Sequence, residues 1–232
     1  MSISDNIKNI KNIIADEEKK AGRVPGSVKL MAVSKFHTSE EIEEAIKAGI
    51  RLFGENRVQE AESKFPALIQ KYPDISLHMI GSLQRNKVKD IVKIASCIES
   101  VDRKELIDEI EKQCAKINKK ISILFEIHTG EESKSGFMTE ESLEESIAYS
   151  LSCPHIVSAG FMTMAPFTDD QDKIKASFKK LVEISEKMKS KFPSISFTEL
   201  SMGMSGDYKL AVPEGSTIVR IGTAIFGERK KV

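Results

Sequence analysis

The sequence predicts an α/β protein, a single (β/α)8 barrel of the TIM type with one extra N-terminal helix. Strand-like and helix-like segments alternate along the chain in about eight repeats, which implies a parallel sheet with helices outside it. An open doubly wound sheet would want a Gly-x-Gly-x-x-Gly turn after its first strand, but Ser34-Lys35-Phe36-His37 stands there instead. No internal duplication, low-complexity stretch or linker rich in Gly and Ser interrupts the pattern. The 232 residues are therefore read as one domain, 1–232, long enough to bury a full-sized core.

The elements follow in order. Ile3, Ile7, Ile10 and Ile14 fall on one helical face, and Gly22 and Pro25 close that helix. A first strand is expected at about 29–34. Thr38 with Glu41 forms a capping-box pattern that opens a helix running to Gly49. Arg51 to Gly54 reads as a short second strand, 56–70 as a helix, and Ser76 to Ile80 as the third strand. Cys97 to Val101 precedes a helix on which Leu106, Ile107, Ile110, Cys114 and Ile117 are expected to share a face. Ile121 to Ile127 is the clearest buried strand, and helices at 140–151 and 170–192 flank the strand His155 to Met162. Strands near 196–202 and 216–221 complete the set.

Composition removes several classes of function. Lys+Arg and Asp+Glu both number 35, so no global field would recruit nucleic acid or an anionic membrane. The Lys-rich stretches 8–20 and 173–191 alternate with acids and apolar positions, as solvated helix faces do, and no one-signed stripe for nucleic acid is present. Cys97, Cys114 and Cys153 are widely spaced without Cys-x-x-Cys and are expected as buried thiols. His37, His78, His128 and His155 show no metal-ligand spacing, and no Gly-x-Ser-x-Gly elbow occurs. No apolar run approaches a membrane span, and the N-terminus mixes Asp5, Asp16, Glu17 and Glu18 with its lysines, unlike a targeting peptide. A cytoplasmic protein is expected, and nothing demands more than a monomer.

In such a barrel the C-terminal strand ends converge on one mouth. The sequence places Lys35 there after the first strand, Glu55 and Asn56 after the second, and Gly81, Gln84 and Asn86 after the third. Ser100 and Asp102 follow the fourth, Lys134, Ser135 and Gly136 the fifth, and Met162 to Pro166 the sixth. Gly203 to Asp207 follow the seventh, Gly222 and Thr223 the eighth. A lysine ending an apolar strand can form an imine with an aldehyde if its surroundings keep the amine neutral. The alternative is a solvated lysine. The turns Ser201 to Asp207 and Arg220 to Ala224 offer small residues, hydroxyls and free amides that suit an anion, where barrels often bind phosphate. Either could also be only a tight turn. Together with Lys35 they suit an aldehyde-bearing aromatic phosphate, pyridoxal 5′-phosphate.

Seven segments carry a resemblance: Ala32 to Lys35, Phe53 to Glu60, His78 to Lys87, Ser133 to Phe137, Gly160 to Met164, Met202 to Ser205 and Val219 to Gly227. Together they closely resemble the pyridoxal phosphate homeostasis protein family, single-domain barrels related to the N-terminal domain of alanine racemase. One local departure is Phe36-His37, where the family often has a polar pair. The resemblance implies that Lys35 forms the Schiff base and that Ser205, Gly222 and Thr223 hold the phosphate. It further implies that Arg220 faces the pyridine nitrogen, where a fixed cation discourages ring protonation and weakens the electron sink. Asn56 and His78 are implied to line the ring's surroundings, with Met202 packing near it. For His78 the other reading is a satisfied inward-facing histidine, and for Met202 core filler.

Two functions fit. The first is an intracellular carrier that buffers the cofactor as a labile lysine aldimine and releases it to apo-enzymes, with no substrate of its own. The second is an amino-acid racemase, which shares the lysine and the barrel. Two-base racemization needs a proton donor on the cofactor face opposite the lysine, in alanine racemases a tyrosine from an additional β domain. The chain ends about ten residues after its last strand, leaving no room for that domain, and Tyr72, Tyr149 and Tyr208 fall on helices or helix ends. The carrier is therefore favoured.

Overall fold

In the computed structural model, which describes residues 2–130 and 136–228, eight parallel strands close into a barrel in chain order. The strands are β1 (Lys29–Val33), β2 (Leu52–Glu55), β3 (Ser76–Met79) and β4 (Cys97–Val101), then β5 (Ile121–Glu126), β6 (Ile156–Met162), β7 (Glu199–Met204) and β8 (Ile218–Ile221). β1 closes the ring on β8, with Ala32 beside Ile221. Lys134 and Ser135 of the fifth mouth segment, and Ser133 of the resembling segment Ser133 to Phe137, lie outside the described residues.

Among the described residues, eight helices between or after the strands, together with α1 (Ile3–Lys20), surround the sheet. Those up to β5 are α2 (Ser39–Lys47), α3 (Val58–Lys71), α4 (Val88–Ile94, entered through a 3-10 turn, Arg85–Lys87) and α5 (Lys104–Lys116). α6 (Glu140–Ser150) and α7 (Gln171–Lys191) follow, and the last two, α8 (Tyr208–Ala211) and α9 (Thr223–Phe226), are single turns. Two such short elements leave part of the sheet uncovered, and α1 takes that place. Its Ile7, Ile10 and Ile14 are buried, each contributing roughly 1.5–3 kcal/mol, and Asn6 donates to the Ile225 carbonyl of α9 at 2.9 Å. A capping box of Ser2 and Asp5 starts the helix.

The capping box of Thr38 and Glu41 forms as the sequence predicts. One packing expectation fails: Ile117 lies beyond α5 and is 45% exposed. Ile117 is the C-cap residue, already out of helical geometry at φ −112°, and the chain reverses at the next residue, Asn118, with φ +47°, so no further helical turn carries the buried face onward. β7 and β8 start later than the apolar runs suggest. Just before β8 the Ser216 hydroxyl donates to the Met202 and Ile218 carbonyls, at 2.7 and 2.9 Å.

Most apolar side chains pack between sheet and helices, while a small separate cluster of Cys97, Leu124 and Met162, with Ala159 and Met164, occupies the barrel interior. The three cysteines are free and buried, and burial pushes the Cys97 thiol well up and the Cys114 thiol to about 11, so neither is a poised nucleophile. Among the described residues no helix is long and apolar enough to cross a membrane, and no cluster could hold a metal ion.

Candidate functional site

Lys35 sits half-buried in a turn at the mouth, immediately beyond β1. The last sheet bond there runs from Ser34 N–H to the Gly54 carbonyl at 3.0 Å, and His37 N–H then closes the turn on the Ser34 carbonyl at 3.1 Å. Phe36 takes φ +67°, a conformation that a bulky residue reaches only when neighbours hold it. Here Arg57 lies over the Phe36 ring at 5.2 Å, and His37 stacks on Phe226 of α9 at 4.5 Å. The Phe36-His37 departure thus ties the lysine turn to the segment after β8.

That segment is adjacent by register. Gly222 caps α9, and a Cβ placed on it would lie 3.2 Å from the Val33 carbonyl oxygen, two residues before Lys35. Thr223 is exposed at the first helical position, where amide groups have no partner within the helix. Across the β7 end, Asp207 closes the Met204–Asp207 turn by accepting from Met204 N–H at 2.5 Å, while its own N–H donates to the Met204 carbonyl at 3.1 Å. Burial raises the Asp207 carboxyl, partly offset by that bond and by the Arg220 charge. Ser205 is therefore held on a pre-formed turn, beside a cleft of about 390 Å³ that includes Met164, Pro166 and Gly206.

The barrel interior carries a charged chain. Arg220 is 4% exposed and donates to Ser201 Oγ at 2.7 Å and to the Thr163 carbonyl at 2.8 Å. Ser201 donates in turn to Glu99 Oε2 at 2.6 Å, and Glu99 Oε1 meets His78 Nδ1 at 2.6 Å. Burial pushes the Glu99 carboxyl up, but His78, the Arg220 charge and the Ser201 hydroxyl outweigh it and hold it below 4.5. Burial lowers Arg220, against Glu99, Asp207 and Glu126, yet a guanidinium keeps its charge in proteins.

Sequence reasoning did not connect Glu99, Glu60 or Lys64 to the site, and it took Ser201 only as the start of an anion-binding turn, whereas its hydroxyl links Arg220 to Glu99. A charged residue at the centre of the apolar strand Cys97–Val101 was the available signal for Glu99, and Lys64 shares its helical face with buried Ala61, Phe65 and Leu68. His78 lies in this chain, inside the barrel, and also borders a cavity of about 250 Å³ with Lys29, Ser76 and Ser122 at the opposite, N-terminal end. Met202 is fully buried in the main hydrophobic core. Asn56 lies at the β2 end, its Oδ1 buried without a partner in the protein, and a Cβ on Gly81 would come within 2.3 Å of its carbonyl oxygen. Lys35, Asn56, Ser205, Gly222 and Thr223 thus all occupy loops at one end of the barrel, with Arg220 inside it.

Comparison with known proteins places this geometry. The alanine racemase N-terminal domain family matches residues 3–230. The pyridoxal phosphate homeostasis protein of Aquifex aeolicus is 38% identical, covering 99% of this chain and 100% of its own. PipY of Synechococcus elongatus, solved with PLP bound, superimposes with a TM-score of 0.82 at 33% identity, covering 92% of this chain and 100% of its own. An alanine racemase of Clostridium difficile shares the fold, with a TM-score of 0.74 at 16% identity, over 99% of this chain and 56% of its own. The full-length match and identity show that the chain belongs to the alanine racemase N-terminal domain family and, within it, to the pyridoxal phosphate homeostasis proteins.

Proposed function

We propose that the chain is a single cofactor-binding domain that holds pyridoxal 5′-phosphate reversibly through Lys35 and serves its intracellular homeostasis as a carrier and buffer. The observation that carries this reading is the adjacency of the Lys35 turn and the Gly222-Thr223 turn, with Gly222 packed on Val33. The residues present fit the group. Asn56 Oδ1 is a buried acceptor that awaits a donor, and the closed Met204–Asp207 turn offers Ser205 to an anion. The cofactor brings an aldehyde carbon that condenses reversibly with an amine and an aromatic ring that draws electron density from that carbon. Everything else falls to the protein. Lys35 supplies the amine, Ser205, Gly222 and Thr223 bind the phosphate, and Arg220 stands as a fixed cation for the pyridine nitrogen. Asn56 orients the ring's polar edge, while His78 and Met202 support the site through the barrel interior and the core. The PLP-bound relative PipY supports the ligand, and the naming of the relatives as homeostasis proteins supports a carrier without a substrate of its own.

The natural partners on this reading are apo-enzymes that need the cofactor, met by a cytoplasmic monomer. The test is an absorbance spectrum of the purified protein before and after borohydride reduction, followed by peptide mapping. A visible band that reduction abolishes, with the label on Lys35, is the expected result. Label on another residue would refute the assignment.

A further inference from the structure

We propose that Glu60 and Lys64 of α3, with Glu55 of β2, are positioning residues for Lys35, holding the turn that carries it in one backbone shape. The inference rests on the proposed function, since it takes Lys35 as the attachment residue. A positive φ at Phe36 but not at Lys35, with His37 N–H bonded to the Ser34 carbonyl, is the signature of a type II turn. Such a turn differs from the commoner type I by a flip of its central peptide, here the Lys35–Phe36 bond. With Phe instead of Gly after Lys35, the local sequence alone favours the other orientation.

The three side chains oppose that flip. Phe36 N–H, the amide of the central peptide, donates to Glu60 Oε2 at 2.7 Å, a bond that a flipped peptide would lose. Lys64 Nζ donates to the carbonyls at both ends of the turn, Ser34 at 3.0 Å and His37 at 3.4 Å. The same ammonium pairs with Glu55 Oε1 at 2.6 Å and Glu60 Oε2 at 3.3 Å. Ser34 Oγ donates to Glu55 Oε1 at 2.7 Å. The Lys64 side chain is 10% exposed and that of Glu55 0%, so water does not screen this pair as it would one at the surface. Burial raises the Glu55 carboxyl, against Lys64 and Ser34. A buried ion pair need not add net stability, so its bonds to the Ser34–His37 backbone point to a role in geometry.

Glu60→Ala removes the acceptor for the Phe36 amide, whereas Glu60→Gln removes the charge and keeps an acceptor oxygen. Titration of each variant with pyridoxal 5′-phosphate, with borohydride trapping at Lys35, reads covalent attachment. Titration with pyridoxine 5′-phosphate, which has the ring and phosphate but no aldehyde, reads the pocket alone. Glu60→Ala is expected to weaken attachment by about tenfold while binding pyridoxine 5′-phosphate like the unaltered protein, and Glu60→Gln to restore most of the attachment. Attachment unchanged in Glu60→Ala, or both ligands weakened alike, would overturn the inference and leave the proposed function standing. Absence of label at Lys35 in the unaltered protein would overturn both.

Discussion

Glu99→Gln is the sharpest perturbation of the barrel interior, because it removes one charge from a buried chain and leaves the shape intact. Glu99 is fully buried, bonded to His78 and Ser201, and its charge acts on Arg220, which is 4% exposed. Deleting one partner of a buried pair costs about 3–5 kcal/mol, chiefly through the charge left behind. Asp207 and Glu126 also act on Arg220, so the lower end, about 3 kcal/mol, is expected at pH 7. The assay is urea unfolding followed by circular dichroism, repeated at falling pH. In the native protein Glu99 is held below 4.5, so its contribution is present above that value and is lost as pH falls through the native pKa. The gap between the unaltered protein and Glu99→Gln must therefore close on acidification. A loss under about 1 kcal/mol at pH 7, or a gap that widens toward pH 3, would refute the account of Arg220 as an internally compensated cation.

Three further outcomes can be checked together. Lys35→Ala should abolish the visible band of the loaded protein while leaving the far-UV circular dichroism and thermal midpoint in place, since Lys35 lies in a turn at the mouth outside the packed core. Ser205→Ala and Thr223→Val should each weaken cofactor retention by about tenfold, the worth of a hydrogen bond to a charged group, with occupancy recovered at high cofactor concentration. Unchanged titration curves would remove those residues from the phosphate site. Gly81→Ala places a Cβ 2.3 Å from the Asn56 carbonyl oxygen, so the β2 end must shift; about 1–3 kcal/mol of stability and some cofactor affinity should be lost, and a neutral result in both would show the Asn56 backbone free to yield.

What the sequence made legible is what local physics determines. Alternating runs set the strand order, the Thr38–Glu41 capping box set a helix start, and small residues after the last two strands marked the turns where Ser205 and Thr223 now stand. The misjudged Ile117 shows the limit of periodicity, which extends a helical face without knowing where the backbone reverses. The internal charge chain was hidden for a different reason. Ser201 and Glu99 are 102 residues apart, and Lys64 and Ser34 are 30 apart, so neither pairing has a local signature. Glu99 looked like a polar interruption in an apolar strand, and only closure of the barrel brings Arg220 from β8 within reach of its charge.

That closure also bears on whether the protein turns over amino acids. Racemization through a deprotonated carbon asks for a ring that accepts negative charge and for a second proton donor facing the lysine. Arg220 is a permanently charged group locked between Ser201 and the Thr163 carbonyl, so at the ring nitrogen it would oppose protonation and lessen the ring's capacity to accept charge. The three tyrosines are engaged elsewhere: Tyr72 donates to Glu43 at 2.8 Å, Tyr149 to Asp108 at 3.0 Å, and Tyr208 is buried beneath the Gly203 turn. The loaded protein incubated in deuterated water with L-alanine and other L-amino acids should therefore release neither D-isomer nor α-deuterated product beyond a cofactor-only control. Sustained, enzyme-proportional deuterium uptake that disappears in Lys35→Ala would mean that another residue at the mouth moves the second proton, and the carrier reading would give way to an enzyme.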